Sequence, residues 1–248
     1  LAGNHNVDPD NLDLLELNGQ VIEGNASDYQ QLISFLTTAD LTDPANYDQV
    51  KRAMDIDSYC QYVITQFFGV NTDWPGNNLK YWRPRTVDGK WRWILFDTDF
   101  SFGLFTPNAP QFNMIEFATE QNGPGWPNPP WSTLILRRLL TNPEFQHLFI
   151  NTCSDLLNTS FESARVVSLI NNITAELQSE MTNHFTRWGG DVNSWNNEIT
   201  DIKVFVGQRP FFMRQHFRYY FGLPGQTAST LDVSSPEGGS ANINSVAP

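Results

Sequence analysis

Residues 71–78 read Asn-Thr-Asp-Trp-Pro-Gly-Asn-Asn, and residues 96–103 read Phe-Asp-Thr-Asp-Phe-Ser-Phe-Gly. Between them runs an aromatic-rich stretch broken by Asp88-Gly89, a dipeptide favoured in two-residue hairpin loops. A β-hairpin is therefore expected here, with Asn78 opposite Asp99 and Lys80 opposite Asp97. Side chains alternate along a strand, so these four share one face, and opposed residues sit roughly 4.5 to 5.5 Å apart. Two carboxylates and an amide oxygen at that separation suit Mg²⁺ or Mn²⁺, which take hard oxygen ligands. The ribbon is thus expected to gather a divalent-metal and phosphate site from two acidic loops.

The 248 residues can bury a substantial core, and eight Trp with eighteen Phe make that core aromatic. A formal net charge of -12 argues against nonspecific binding to nucleic acid or to an anionic membrane, which need a basic surface. Local charge differs, because Lys80, Arg83, Arg85, Lys90 and Arg92 bring five of the fifteen basic residues onto the hairpin beside the acids. Such a ribbon either attracts phosphate or simply carries charged edges that block strand addition. Cys60 and Cys153 each lie in an apolar helical stripe and read as two buried free thiols. No apolar run approaches the roughly 18 residues of a membrane span. The chain begins at Leu1, and a piece processed from something longer is the expectation.

Helical periodicity dominates the rest. Leu12 to Ile22, interrupted by Asn18-Gly19, reads as a hairpin or an entry segment. Tyr29, Leu32, Ile33 and Leu36 mark an amphipathic helix, Pro44 opens a second through Ala53, and a third carries Cys60, Val63, Ile64, Phe67 and Phe68 up to Gly69. The loop holding Asp73 thus leaves a well-anchored helix. Residues 104–130, rich in Pro, Gly and Asn, predict a long irregular segment. Beyond them the pattern predicts helices over 131–140 and from Pro143, one long helix over 161–188 ended by Gly189-Gly190, and two more over 195–206 and 210–221. The fold class expected is mainly α with a small β-hairpin (α+β). Residues 1–223 form its principal domain, and 224–248 read as a linker and the opening of a further β-domain.

Bland readings exist for each residue taken alone. Asp73 suits a turn cap, Asn77 and Asn78 suit left-handed turn positions, and Asp97 and Asp99 suit a strand end. Trp91 and Trp93 read as core. His5, His147, His184 and His216 show no metal-ligand spacing, and there is no zinc motif, nucleophile elbow or Ser-His-Asp pattern.

Taken together, Asp73-Trp74-Pro75, Asn77-Asn78, the aromatic hairpin and Asp97-Thr98-Asp99-Phe100-Ser101-Phe102-Gly103 resemble the CotH (spore coat protein H) family of atypical kinases, over about residues 12–222. The resemblance implies phosphoryl transfer from ATP to protein Ser or Thr with a divalent metal, on secreted or surface-layer proteins. It also implies a likeness to the helical C-terminal lobe of a protein-kinase-like fold. Ordinary protein kinases carry a catalytic Asp, a metal-binding Asn five residues later, a hairpin and a second metal-binding Asp. Asp73 and Asn78 have that spacing, and Asp97 or Asp99 follows the hairpin. On this reading Asp73 orients the substrate hydroxyl, Asn78 and Asp97 hold metal, Asp99 is a second ligand or a hydrogen-bond acceptor, and Asn77 and Lys80 contact the nucleotide.

A complete kinase also needs a nucleotide-covering loop and a phosphate-pairing lysine. The residues before Asp73 contain only Lys51 and no Gly-rich loop, so weak ATP binding and negligible transfer are expected of this chain alone. Two rival readings compete with the kinase. One is a non-catalytic surface or adhesin domain with a structural cation. The other is a glycoside hydrolase using two carboxyls about 5 to 9.5 Å apart.

Overall fold

Leu17 and Gly19, both at positive φ, reverse the chain after its first strand and fold the apolar run from Leu12 into a hairpin. The computed structural model describes residues 2–121 and 126–225. In chain order the elements are α1 (Ala2–His5), β1 (Leu12–Glu16), β2 (Gln20–Glu23), α2 (Ser27–Thr38), α3 (Pro44–Ala53), α4 (Ile56–Gly69), β3 (Lys80–Pro84) and β4 (Arg92–Ile94). A 3₁₀ turn (Ala109–Gln111), α5 (Met114–Thr119), α6 (Pro130–Leu139), α7 (Pro143–Asn158), α8 (Ser163–Leu177), α9 (Met181–Trp188) and α10 (Val192–Tyr220) follow. The expected fold class holds, with the β part larger than one hairpin: four antiparallel strands lie in the order β2-β1-β3-β4. The expected linker and β-domain opening fall almost wholly on residues outside the described ones.

One face of the sheet carries an aromatic layer. Tyr81 is fully buried, with ring centroids 4.4 Å from Tyr29, 5.6 Å from Trp91 and 5.7 Å from Trp93. Tyr59 of α4 meets Trp93 at 4.6 Å. Trp91 and Trp93 are therefore core, as expected. Behind this layer α4 forms the centre of the molecule: ten of its fourteen residues are buried, and it packs against α7, β4 and α10. Cys60 and Cys153 are buried and free.

The hairpin register differs from the expected one. Lys80 pairs with Ile94, Tyr81 with Trp93 and Trp82 with Arg92, and the connection spans residues 85–91. The ladder stops there because both flanking residues are claimed by other partners. The Arg85 N–H donates to the Asn11 carbonyl at 2.9 Å, while Trp91 exchanges bonds with Ala53 and Asp55. Asp88-Gly89 is not a two-residue loop. A turn closed by Gly89 N–H on the Thr86 carbonyl takes its place, and a Cβ on Gly89 would stand 2.1 Å from the Pro84 carbonyl oxygen.

Three helical expectations also change. Residues 104–121 are not wholly irregular, because the 3₁₀ turn and α5, capped by Asn113, lie within them. The expected 161–188 helix is two helices, broken after Leu177, which is 47% exposed; the residues of α8 packed on the core end at Ile170. The two final helices are one, α10, running through Pro210. Proline supplies no N–H to the carbonyl four residues back. That carbonyl, on Val206, accepts instead from Ser163 Oγ at 3.0 Å, so the break is repaired from a neighbouring helix.

Arg209 sits beside that proline and is fully buried. Its Nη1 donates to the Pro110 and Phe112 carbonyls, both at 2.9 Å, and its Nη2 donates to the Phe67 carbonyl at 2.6 Å. A cation is thereby placed on the last turn of α4, where the helix dipole favours it. Replacing Arg209 with Met leaves three inward carbonyls without their donor, an expected loss on the order of 3 kcal/mol or more by denaturant titration. Ser163→Ala, which frees only the Val206 carbonyl, is expected to cost about 1 kcal/mol in the same measurement.

Candidate functional site

The site begins where α4 ends. Val70 takes a left-handed conformation, φ 55°, and turns the chain into the Asp73 loop. That conformation is unusual for a β-branched residue. The Asp73 side chain is buried at 4% exposure, and its Oδ2 accepts from Asn77 Nδ2 at 2.8 Å and Asn78 Nδ2 at 2.6 Å. Two side-chain amides thus hold one carboxylate oxygen, and among the described residues none donates to the other. Gly76 is locked from outside: its N–H donates to the Pro127 carbonyl at 2.5 Å, and a Cβ there would lie 2.2 Å from that oxygen.

The second acidic loop docks on the same helix end. The Phe102 N–H donates to the Gly69 carbonyl at 2.7 Å, and Ser101 is pressed so close that a Cβ on Gly69 would stand 2.8 Å from Ser101 Oγ. Thr72 and Thr106 join the two loops through their hydroxyls at 3.1 Å. Asp97, Phe102 and Gly103 all have positive φ, and such strain, about 1–3 kcal/mol per ordinary residue, tends to collect at functional sites. Asn78, itself at φ 48°, also reaches the Asp97 carbonyl at 3.5 Å.

Asp97 and Asp99 are exposed at the loop surface. Partial desolvation, then the charge of Asp99, a hydrogen bond with Asp99 and the charge of Asp73 hold the Asp97 pKa above the usual carboxylate range. The three acids therefore belong to one electrostatic cluster. Asp73, Asn77, Asn78, Asp97 and Asp99 come together, though through loop docking instead of strand pairing. Lys80 lies opposite Ile94, not Asp97, and its Nζ stands 4.8 Å from the Phe96 ring centroid.

The basic ribbon is spent largely on the fold. Arg83 pairs with buried Asp13 at 3.3 Å and with Asp28, Arg92 pairs with Asp55 at 2.8 Å, and Arg85 donates to the Asp10 carbonyl at 2.6 Å. These three do not form a phosphate-attracting strip. Lys51 pairs with Asp48 and Glu144 on α3 and α7. What the sequence reading missed is the docking: Gly69, Thr72 and Thr106 carry no motif, and Gly69 read only as a helix stop.

Among the described residues no group of three or more His, Cys, Asp or Glu side chains is arranged to hold a metal ion by itself. Mg²⁺ is usually held by one or two carboxylates together with waters and substrate phosphates, and not by an all-protein cage. The donors fit this pattern, being a mutually repelling carboxylate pair, Asp97 and Asp99, beside an amide.

The chain is mainly helical with a small antiparallel sheet, and an Asp-Asn loop and an Asp-x-Asp loop are both attached at the end of α4. The family model described as CotH kinase protein matches residues 5–213, and the chain belongs to that family. No curated protein and no solved structure matches the chain.

A carboxyl whose pKa is raised in the folded state favours folding at pH below its unfolded value, about 3.9, and loses that contribution as pH rises through the folded value. Without metal, Asp97→Asn is therefore expected to melt above the unsubstituted chain at neutral pH. The gap should close as pH falls below the ordinary aspartate range, which thermal melts across a pH series measure.

Proposed function

We propose that the chain is the catalytic part of a phosphotransferase that moves the γ-phosphoryl group of ATP to a Ser or Thr hydroxyl of a protein, with Mg²⁺ or Mn²⁺. The supporting observation is the buried Asp73 carboxylate, held by Asn77 and Asn78 within the field of the Asp97 and Asp99 pair. Asp73 takes up or orients the proton of the acceptor hydroxyl as its oxygen bonds the γ-phosphorus and the bond from that phosphorus to the β,γ-bridging oxygen breaks, leaving ADP. Its remaining carboxylate oxygen is the one for that task. Asn77 and Asn78 fix its direction, and Asn78 also leads toward the Asp97 loop.

Asp97 and the Asn78 amide oxygen would hold the metal, with Asp99 as a second carboxylate ligand or as a hydrogen-bond acceptor for the loop. A divalent cation held there would supply positive charge to the phosphates during transfer. Repulsion between Asp97 and Asp99 is a cost of the metal-free fold that a cation removes. Lys80 has no carboxylate partner among the described residues, which leaves its ammonium for a phosphate oxygen. Asn77 borders the nucleotide's phosphate end. The reading extends to acceptor proteins that are secreted or on the cell surface.

The test is metal-dependent nucleotide binding and γ-phosphoryl transfer in the full-length polypeptide, since the 248-residue chain alone is expected to transfer negligibly. Asp73→Asn is expected to lower transfer by roughly 10²- to 10⁴-fold while metal-nucleotide binding persists. Asp97→Asn is expected to abolish the rise in melting temperature on Mn²⁺ addition together with nucleotide binding. Stabilisation by Mn²⁺ without any nucleotide binding would instead favour a non-catalytic surface domain with a structural cation.

Proton competition gives a second expectation. Because the Asp97 pKa is raised, Mn²⁺ affinity should begin to fall at a pH above that at which an ordinary aspartate protonates. Metal titrations across a pH series measure it.

A further inference from the structure

The turn that delivers Asp73 is fastened from beneath by three buried side chains that the chemistry above does not use. Tyr62 and Gln66 stand one helical turn apart on α4, and Gln66 Nε2 donates to the Tyr62 hydroxyl at 3.3 Å. Asn71 Nδ2 donates to Gln66 Oε1 at 2.9 Å, and Asn71 Oδ1 accepts the Asp73 N–H at 3.2 Å. Gln66 is 1% and Asn71 0% exposed. The Asn71 backbone is engaged as well, its N–H on the Gln66 carbonyl at 3.2 Å and its carbonyl accepting from Trp74 at 3.4 Å.

Each end of the Asn71 amide has a single assignment. The Asp73 N–H needs an acceptor, so the oxygen faces Asp73, and Gln66 Oε1 needs a donor, so the nitrogen faces α4. An asparagine bonding the N–H two residues on makes an Asx-turn, which fixes the backbone direction of that residue. Two buried amides return little net stability for their desolvation, since a typical internal hydrogen bond is worth about 1 kcal/mol. Apolar side chains of similar volume would fill the same space without that cost. The ladder therefore contributes direction more than stability, and the direction it sets is that of Asp73.

We infer that Asn71, held by Gln66 and Tyr62, is a positioning residue that aims the Asp73 carboxylate at Asn77 and Asn78. The Asp73 carboxylate is thus gripped at one oxygen by the loop in front of it, and its backbone from α4 behind it. Loss of the rear grip leaves Asp73 chemically intact but misdirected. The inference rests on the proposed role of Asp73, yet one arm of its test needs no phosphoryl transfer.

That arm is NMR of the ¹⁵N-labelled 248-residue chain, which reads the side-chain amide resonances of Asn77 and Asn78, the groups bonded to Asp73 Oδ2. Gln66→Leu and Asn71→Ala are expected to move these signals to the positions of exposed amides while the backbone spectrum stays folded. Gln66→Glu, which keeps an acceptor for Asn71, is expected to hold them in place. In the full-length polypeptide, Gln66→Leu should lower kcat roughly 10- to 100-fold with the KM for ATP unchanged, and Gln66→Glu should stay within about threefold. A folded Gln66→Leu variant with unmoved Asn77 and Asn78 signals overturns the inference. Should Gln66→Leu not fold, Tyr62→Phe is read instead: a smaller shift in the same direction supports the ladder, and none overturns it. If the unsubstituted polypeptide transfers no phosphate, the proposed function fails and the amide signals alone decide the positioning role.

Discussion

A buried guanidinium without a carboxylate partner among the described residues holds this structure in register. Arg209 reaches from α10 to the carbonyl of Phe67 and to those of Pro110 and Phe112, so one side chain ties the C-terminal helix, the end of α4 and the 3₁₀ turn together. Its charge is met by aligned carbonyl dipoles, and burial pulls its pKa down without removing the proton at neutral pH. The end of α4 is also where both acidic loops are attached, one by chain continuity at Val70 and the other through the Gly69 carbonyl. The geometry of the acids is thereby referred to the core through a single helix terminus.

Around that terminus the molecule accepts features that oppose stability. Val70 and Phe102 hold left-handed conformations, and Asp97 lies within the field of the Asp99 and Asp73 charges. Aromatic packing on both sides of α4 offsets these costs, from the Tyr81, Trp91 and Trp93 layer to the Phe67, Phe149 and Phe217 group. Strained and charged elements of this kind are tolerated where the surroundings determine them fully.

Much of this was legible in the chain, for identifiable reasons. Helices α2, α3, α4 and α7 announce themselves because each presents an apolar stripe within its own residues, and α3 and α7 also open on a proline. The association of Asp73 with Asn77 and Asn78 is also short-range, and a tight loop brings residues four and five apart into contact. The hairpin register was not legible, because it is decided by Ala53, Asp55 and Asn11, which are remote in sequence from the turn. Nor was the continuity of α10, since its interruption at Pro210 is repaired by Ser163 on another helix. The five basic residues of the ribbon looked like a single feature, yet Arg83 and Arg92 answer to Asp13, Asp28 and Asp55, which pattern alone does not pair with them.

Gly69 shows how little separates the two halves of the site. With no side chain at that residue, Ser101 rests directly on the helix backbone. The bare Cα acts as a gauge block: it sets the gap between the Asp97 loop and the helix end from which Asp73 departs. A methyl group there would stand 2.8 Å from Ser101 Oγ and 3.2 Å from its Cβ, so the serine would have to turn aside, and the spacing of the two loops is set by the thickness of one residue more than by its chemistry.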